Sequence, residues 1–533
     1  MKFTADRLPY RQTAAFTRIV LDYIDQAETV RPFSQHAPTF QGLQKAIAER
    51  QLFPTNREGL VAELTRQYAT VTTTDLVRKN IRSLLSAQTF TITTAHQNNL
   101  FTGPLYFIYK ILHVIRLTEQ LNETWPDKHF VPVFYVGSED ADLEELNHTW
   151  LNGDKLEWGT DQTGAVGRMQ IDKKLVGLID RMEGQLGVWP HGKEIVSALR
   201  EFYTAGATIS QATFGFVNFL FAEYGLVILQ PDNATLKRQM IPLFRDDLLK
   251  QAASGIVEQT AAQLDAAGYR VQAQPREINL FYLEGNTRER IEKKNGKYIV
   301  HHTSLEFSEE EILAELDTHP ERFSPNVILR GLYQETILPN IAFIGGGGET
   351  AYWLQLKDLF NHYQVPFPVL VLRNSFLVVE SKWKAAIAKL GFATEDFFLP
   401  EQELLNRLVL RQSSNEVKLN GSLQELEKLY DAFRKQAGAV DSTLEQHVEA
   451  LKTKTVYRLQ ELEKKMLRAE KRKFSDQQRQ IHAIRERLFP GNGLQERRDN
   501  IAYYYARWGK DFLRMLLQHS LTLEHEFVVL TEN

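Results

Sequence analysis

The chain has 533 residues, with 63 Lys and Arg against 67 Asp and Glu, 14 His and no cysteine. That length allows roughly three or four domains, and 43% hydrophobic residues suffice for a large core. Without cysteine, disulfide frameworks, thiolate metal sites and a cysteine nucleophile are excluded, and a formal charge of −4 supplies no field for nucleic acid or an anionic membrane.

In chain order, the opening MKFTADRLPYRQ lacks the ~7 to 15 apolar residues of a secretory signal core. Residues 1–85 fit either part of a core or a helical subdomain. Short β-rich runs follow: 89–95, 130–137, 226–231, 341–346 and 368–373, separated by segments of helical period. Runs apolar on both faces predict a mostly parallel sheet covered by helices, hence an α/β fold. The most apolar stretch, 214–229, contains Asn218, Glu223 and Gly225 and falls short of a ~20-residue membrane span. A cytoplasmic protein with no nucleic-acid and no membrane partner is expected. Two stretches interrupt the alternation, 150–212 and about 276–330, and read as insertions; the second carries a KNGK turn signal and predicts a β-hairpin.

Ligands of open α/β sheets bind beyond the carboxyl ends of the strands. Here those ends carry His96 and Gln97, then Ser138, Glu139, Asp140 and Asp142, then Asp232, Glu349, and Arg373, Asn374 and Ser375. A single polar site is predicted. His96 could steady anionic oxygens or move a proton, or could be a turn histidine bonded to backbone. Lys110 could be a second anion contact or an exposed helix lysine. The acidic run could hold a substrate amine or Mg²⁺, whereas Glu144 and Glu145 fit an acidic first turn facing a helix dipole. His148 could pair with Glu144 on a metal but has no third partner in view, and His301 and His302 read as surface residues. The GGGGET run, Gly345 to Thr350, could offer amides to an anion or could only permit a tight turn; it matches neither the Walker nor the dinucleotide fingerprint.

After residue 420, apolar residues recur in steps of three and four, which predicts a coiled coil over 421–489. Ser442 and Glu445 have capping-box spacing and mark a possible break between antiparallel helices. Residues 490–533 predict a turn and a helix that packs back on a core spanning 1–420.

Five ordered blocks, TAHQNNLFTGPLYFIYKI, VPVFYVGSEDADLEELNH, ILRGLYQETILPNIAFIGGGGETAYWLQLK, VLVLRNSF and LFPGNGLQER, resemble the cysteine ligases of bacillithiol biosynthesis. The resemblance implies a Rossmann-like core with two connecting-peptide insertions, similar to class I aminoacyl-tRNA synthetase catalytic domains, and a coiled coil that mediates a homodimer. It implies amide formation between L-cysteine and glucosaminyl-malate, with ATP or ADP as the nucleotide; the acidic run would suit an accompanying Mg²⁺, and the absence of cysteine leads to the expectation of no zinc. The catalytic set is then His96, Asp140 and Asp142. The substrate-binding set is Gln97, Asn98, Tyr106, Lys110, Ser138, Glu139, Asn147, Gly345, Gly346, Gly347, Gly348, Glu349, Tyr352, Arg373, Asn374 and Ser375, with Arg373 expected to grip malate carboxylates. A nucleotide near the coiled-coil junction would meet Trp383, Leu488, Phe489, Gly493, Leu494, Gln495 and Arg497. This chain departs from the family pattern at Ala95, Asn98, Asn99 and Ala141. A nucleotide-sugar transferase and a nucleotide-sensing coiled-coil scaffold are the competing readings.

Overall fold

The computed structural model describes residues 2–415 and 418–533. Its centre is a five-stranded sheet built from β1 (Thr89–Gln97), β2 (His129–Gly137), β3 (Val227–Leu229), β4 (Asn340–Gly345) and β5 (Val369–Leu372). The spatial order is β5-β4-β1-β2-β3, with every neighbouring pair parallel. These are the five predicted runs in one sheet. β1 is longer than expected because His96 and Gln97 stay in register with Val136 and Gly137, which puts both on the strand itself. β3 is shorter because the Gln67 side chain accepts the Gln230 amide at 2.9 Å and Pro231 has no N–H to continue the ladder.

Helix α1 (Tyr106–Thr124) returns from β1 to β2, α2 (Val327–Ile337) leads into β4, and α3 (Gly347–Trp353) leaves it. The core under the sheet joins Phe90 and Ile92 of β1, Ile341 and Ile344 of β4 and Val369 and Val371 of β5 to Val114, Leu117 and Leu121 of α1. Leu43, Ala46 and Ile47, from the helix Phe40–Leu52, complete it. The N-terminal helices therefore belong to the core rather than to a separate subdomain.

The first insertion forms a small hairpin (His148–Leu151 and Asp154–Glu157) followed by three helices between Lys173 and Phe221. The second is richer than the hairpin expected. It is a five-stranded antiparallel sheet, with Thr287–Lys294 and Lys297–Val300 joined through Asn295 (φ 53°) and Gly296 (φ 80°). Two successive left-handed residues are what a type I′ hairpin requires, and Asn-Gly supplies them at least strain. The C-terminal segment holds two helices, Ile501–Trp508 and Lys510–His519, and then a strand the apolar pattern did not single out. That strand, Glu526–Glu532, lies between Phe3–Pro9 and Phe376–Val379 in a three-stranded sheet.

The chain divides into two compact units, 1–378 with 494–530, and 379–493 with 531–533. In the second, α4 (Asn420–Val440) and α5 (Leu444–Lys471) form an antiparallel hairpin. Lys452 pairs with Asp431 and Arg434 with Glu449, while the Tyr430 and Thr455 hydroxyls meet at 2.8 Å. The break falls where DSTLEQ placed it, but Asp441 rather than Ser442 secures the turn, its Oδ1 accepting from the Thr443 N–H and hydroxyl at 2.8 Å each. This unit begins before residue 420 because Ser381–Lys389 and Glu401–Gln412 pack against the helix Ser475–Leu488. Among the described residues, no helix is long and apolar enough to cross a membrane.

Candidate active site

The chain winds from β1 to β2 and β3 in one direction and from β4 to β5 in the other, so the crevice opens where β1 and β4 adjoin. A cavity of about 430 Å³ lies there, wholly within the first unit. It gathers His96 and Gln97 from β1, Tyr106 and Lys110 from α1, Ser138, Glu139, Asp140 and Glu145 after β2, Gly346, Gly347, Gly348, Glu349 and Tyr352 after β4, and Arg373 after β5. Arg330 of α2, Arg288 of the second insertion and Arg497 of the C-terminal segment also line it.

One wall is cationic. Lys110 is buried, donates to the Ala95 carbonyl at 2.9 Å and forms an ion pair with Glu349, so it is not the exposed helix lysine of the alternative reading. Burial pulls its pKa down against the pull of Glu349. Glu349 Oε2 also accepts the Gly346 N–H at 2.9 Å, so that glycine amide is already committed within the protein. Arg330 donates to the Tyr352 hydroxyl. Arg373 is not the open fork expected for malate. Its Nη2 pairs with buried Glu496 at 2.8 Å and its Nη1 donates to the Asn374 carbonyl and the Ser375 hydroxyl at 2.9 and 3.1 Å.

His96 sits among these cations, its ring 5.3 Å from the rings of both Tyr106 and Phe107. Burial, with Lys110, Arg373 and Arg330 adding to it, holds its pKa well below the ordinary value of 6.5. The imidazole is neutral at physiological pH. Its Nε2 is buried and has no hydrogen-bond partner among the described residues.

The residues that follow β2 give the lining its acidic part. Asp140 Oδ2 accepts from the Gln97 side chain at 2.8 Å and its Oδ1 from the Asp142 N–H at 3.1 Å. The Glu145 pKa is raised, first by burial and then by Asp142 and Asp140. Asp142 itself does not line the cavity; it is exposed and caps the short helix Leu143–Leu146 through the Glu145 N–H at 3.2 Å. Among the described residues, no group of three or more His, Asp or Glu side chains is placed to hold a metal ion, and His148 hydrogen-bonds Asn147 at 3.2 Å.

Several expected contacts serve the scaffold instead. Asn98, Asn147 and Gly345 lie off the cavity lining. Gly345 is in β4 and its carbonyl accepts the Arg373 N–H at 2.8 Å. Asn374 donates its side chain to the Leu521 carbonyl at 3.0 Å, and Ser375 donates to Glu496 at 3.1 Å. Of the nucleotide set, Trp383, Leu488, Phe489 and Gly493 belong to the second unit and Leu494, Gln495 and Arg497 to the first. Leu488 is buried, Phe489 packs edge-on against Phe398, and buried Gln495 exchanges two hydrogen bonds with the Val378 backbone, at 2.9 and 3.1 Å. Of the seven, Arg497 is the one that lines the cavity.

Behind this site, buried His113 accepts the Asn374 N–H at Nδ1 (3.1 Å) and donates from Nε2 to the Thr522 carbonyl at 2.7 Å. Burial lowers its pKa from 6.5 to about 4. The folded protein thus refuses a proton that the unfolded chain binds below pH 6.5, so this stabilisation is present above that value and drains away as pH falls towards 4. At a limiting slope of ~1.4 kcal/mol per pH unit, about 3 kcal/mol is at stake. We expect the wild type to lose ~2 kcal/mol more than His113→Gln between pH 7 and 4.5 in urea denaturation; equal losses would refute the assignment.

Arg330 and Arg288 were not singled out from the sequence. For Arg330 a signal existed: it is a lone charge on an otherwise apolar helical run, ILRGLY. Arg288 reaches the cavity from an insertion whose own strand pattern says nothing about its neighbours.

Residues 3–374 match the family model for the N-terminal Rossmann-like domain of BshC, and residues 376–532 match the model for its C-terminal coiled-coil domain, both described under bacillithiol biosynthesis. A relative from Flavobacterium johnsoniae, named "Putative cysteine ligase BshC", is 38% identical over 528 residues, covering 99% of each chain. Relatives of the same name from Flavobacterium psychrophilum and Christiangramia forsetii are 39% and 37% identical, covering 96% and 98% of each chain. The chain belongs to the BshC family of bacillithiol biosynthesis.

Proposed function

We propose that the cavity joins the carboxyl of L-cysteine to the amine of glucosaminyl-malate. The observation that carries this reading is a cavity lined by both cations and carboxylates with the unpartnered Nε2 of neutral His96 in it. The acidic part of the lining receives the ammonium of the sugar, which loses one proton to solvent before it can attack, and Asp140 or Glu139 takes the second proton as the nitrogen bonds to the carboxyl carbon. The new C–N bond forms as the carboxyl oxygen departs with the phosphorus-bearing group that activation by ATP supplies. Arg330, Arg288 and Arg497 are the cations suited to the malate carboxylates, because Arg373 is held by Glu496. Mg²⁺ would enter with the nucleotide. A neutral His96 donates Nε2–H to the oxygen that gathers charge in the tetrahedral intermediate, as preorganised donors do. Incubation with cysteine, glucosaminyl-malate and ATP should yield bacillithiol by mass spectrometry; no product at any nucleotide concentration would overturn the proposal.

The same reading has the hairpin of the second unit join two copies. Leu429, Phe433, Val440, Leu444, Leu451 and Leu462 are exposed along α4 and α5, an apolar stripe that one hairpin leaves uncovered. Sedimentation should give a dimer for the wild type and a monomer for Leu429→Asp/Phe433→Asp. A monomeric wild type at micromolar concentration would reject this part.

A further inference from the structure

Lys237 ends the short helix Ala234–Lys237 after β3 and is 0% exposed. Its ammonium contacts Glu139 Oε1, lies 3.4 Å from Asp232 Oδ1 and donates to the Glu321 carbonyl at 3.0 Å. Asp232 in turn takes both arms of Arg168, at 2.7 Å each. Arg168 comes from the first insertion, and Glu321 and Arg288 from the second. Lys237 links this cluster directly to Glu139, the most deeply buried carboxylate of the cavity lining. Among the described residues no hydrogen bond reaches its Oε2.

A lysine stripped of water is costly unless its charge is compensated, and an apolar side chain of equal length could fill the space at lower cost. A packing role alone therefore does not account for a cation there. We infer that Lys237 is a positioning residue that keeps Glu139 ionised at the cavity wall, so that Glu139 receives the primary amine of the substrate and both insertions take part in amine recognition. The inference rests on the ligation reading only in naming the amine. The groups that face Glu139 are Lys237, Asp232, Arg168, Arg288, Tyr135 and Tyr333. Burial raises the Glu139 pKa and Lys237 is the largest influence opposing it. Asp232 stays below the usual range because Lys237 and Arg168 outweigh its own burial. Loss of Lys237 thus moves the Glu139 carboxyl upward.

The test follows the Glu139 carboxyl by ¹³C NMR, assigned with Glu139→Gln, in the wild type, Lys237→Met and Lys237→Arg, alongside pH profiles of kcat/KM for glucosaminyl-malate. In Lys237→Met the Glu139 titration should rise by about one pH unit or more, and kcat/KM for the amine should fall about tenfold or more with its acid limb displaced the same way. KM for cysteine should stay within about twofold, and Lys237→Arg should restore most of the loss. Should Lys237→Met not fold, Asp232→Asn/Lys237→Met, which deletes one charge of each sign, is titrated in its place, with a smaller upward shift expected because Asp232 itself pushes the Glu139 carboxyl up. An unmoved Glu139 in a folded variant, or an equal loss when Lys237→Met is made in a Glu139→Gln background, would overturn the inference. Absence of product from the wild type would reject the ligation reading, whereas the NMR titration would still decide the coupling of Lys237 to Glu139.

Discussion

On the proposed ligation, replacing His96 by alanine should lower kcat roughly 10²- to 10³-fold and leave KM for cysteine and glucosaminyl-malate within about twofold, because the lost hydrogen bond would exist mainly in the transition state. A histidine that gripped ground-state phosphate as a cation would show the opposite division, with KM rising. The structure favours the first outcome. Three cations surround a buried ring, so a proton on it would be repelled as well as desolvated. The activity of the wild type should accordingly show no inflection from His96 between about pH 6 and 8, since its pKa lies well below 6.5. Steady-state kinetics of His96→Ala and His96→Asn across that range provide the test. A KM effect of tenfold or more with kcat preserved would reassign His96 to binding. Asparagine, which keeps a donor near the position of Nδ1 rather than Nε2, should recover little.

The central sheet was legible because its signal is local. Five apolar runs, each followed by residues too polar for an ordinary turn, already placed His96, Glu139 and Glu349 at one edge, and the parallel order brings them together. What the sequence could not show is which polar groups are already satisfied by one another. Arg373 and Ser375 look like ligand residues until Glu496, more than a hundred positions away, takes up both. Gly346 looks like an anion cradle until Glu349 occupies its amide. Asp142 has the same local signal as Asp140, yet two positions further along it is a helix cap. The LFPGNGLQER block read as a nucleotide contact, but Glu496 and Gln495 are consumed by backbone and side chains of the first unit, and Arg497 alone of that pair's neighbours reaches the cavity. Non-local pairing decides such cases, and periodicity carries no trace of it.

Glu496→Gln should destabilise the protein by about 3 to 5 kcal/mol, the largest effect expected of any single neutral, near-isosteric change here. Glu496 is fully buried, and its two oxygens serve three donors: Arg373 Nη2 at 2.8 Å, the Ser375 hydroxyl at 3.1 Å and the Phe376 N–H at 3.1 Å. An amide offers one acceptor and turns an N–H towards another donor. Worse, it leaves the Arg373 guanidinium, only 5% exposed at its side chain, without a counter-charge. Arg373→Met/Glu496→Met should recover much of the loss, because removing both charges removes the uncompensated one. Chemical denaturation of the three variants distinguishes this from simple packing damage: in that case the double variant would be the least stable. A loss below about 1 kcal/mol for Glu496→Gln would mean that water reaches Arg373 and that its fork is open to a carboxylate after all.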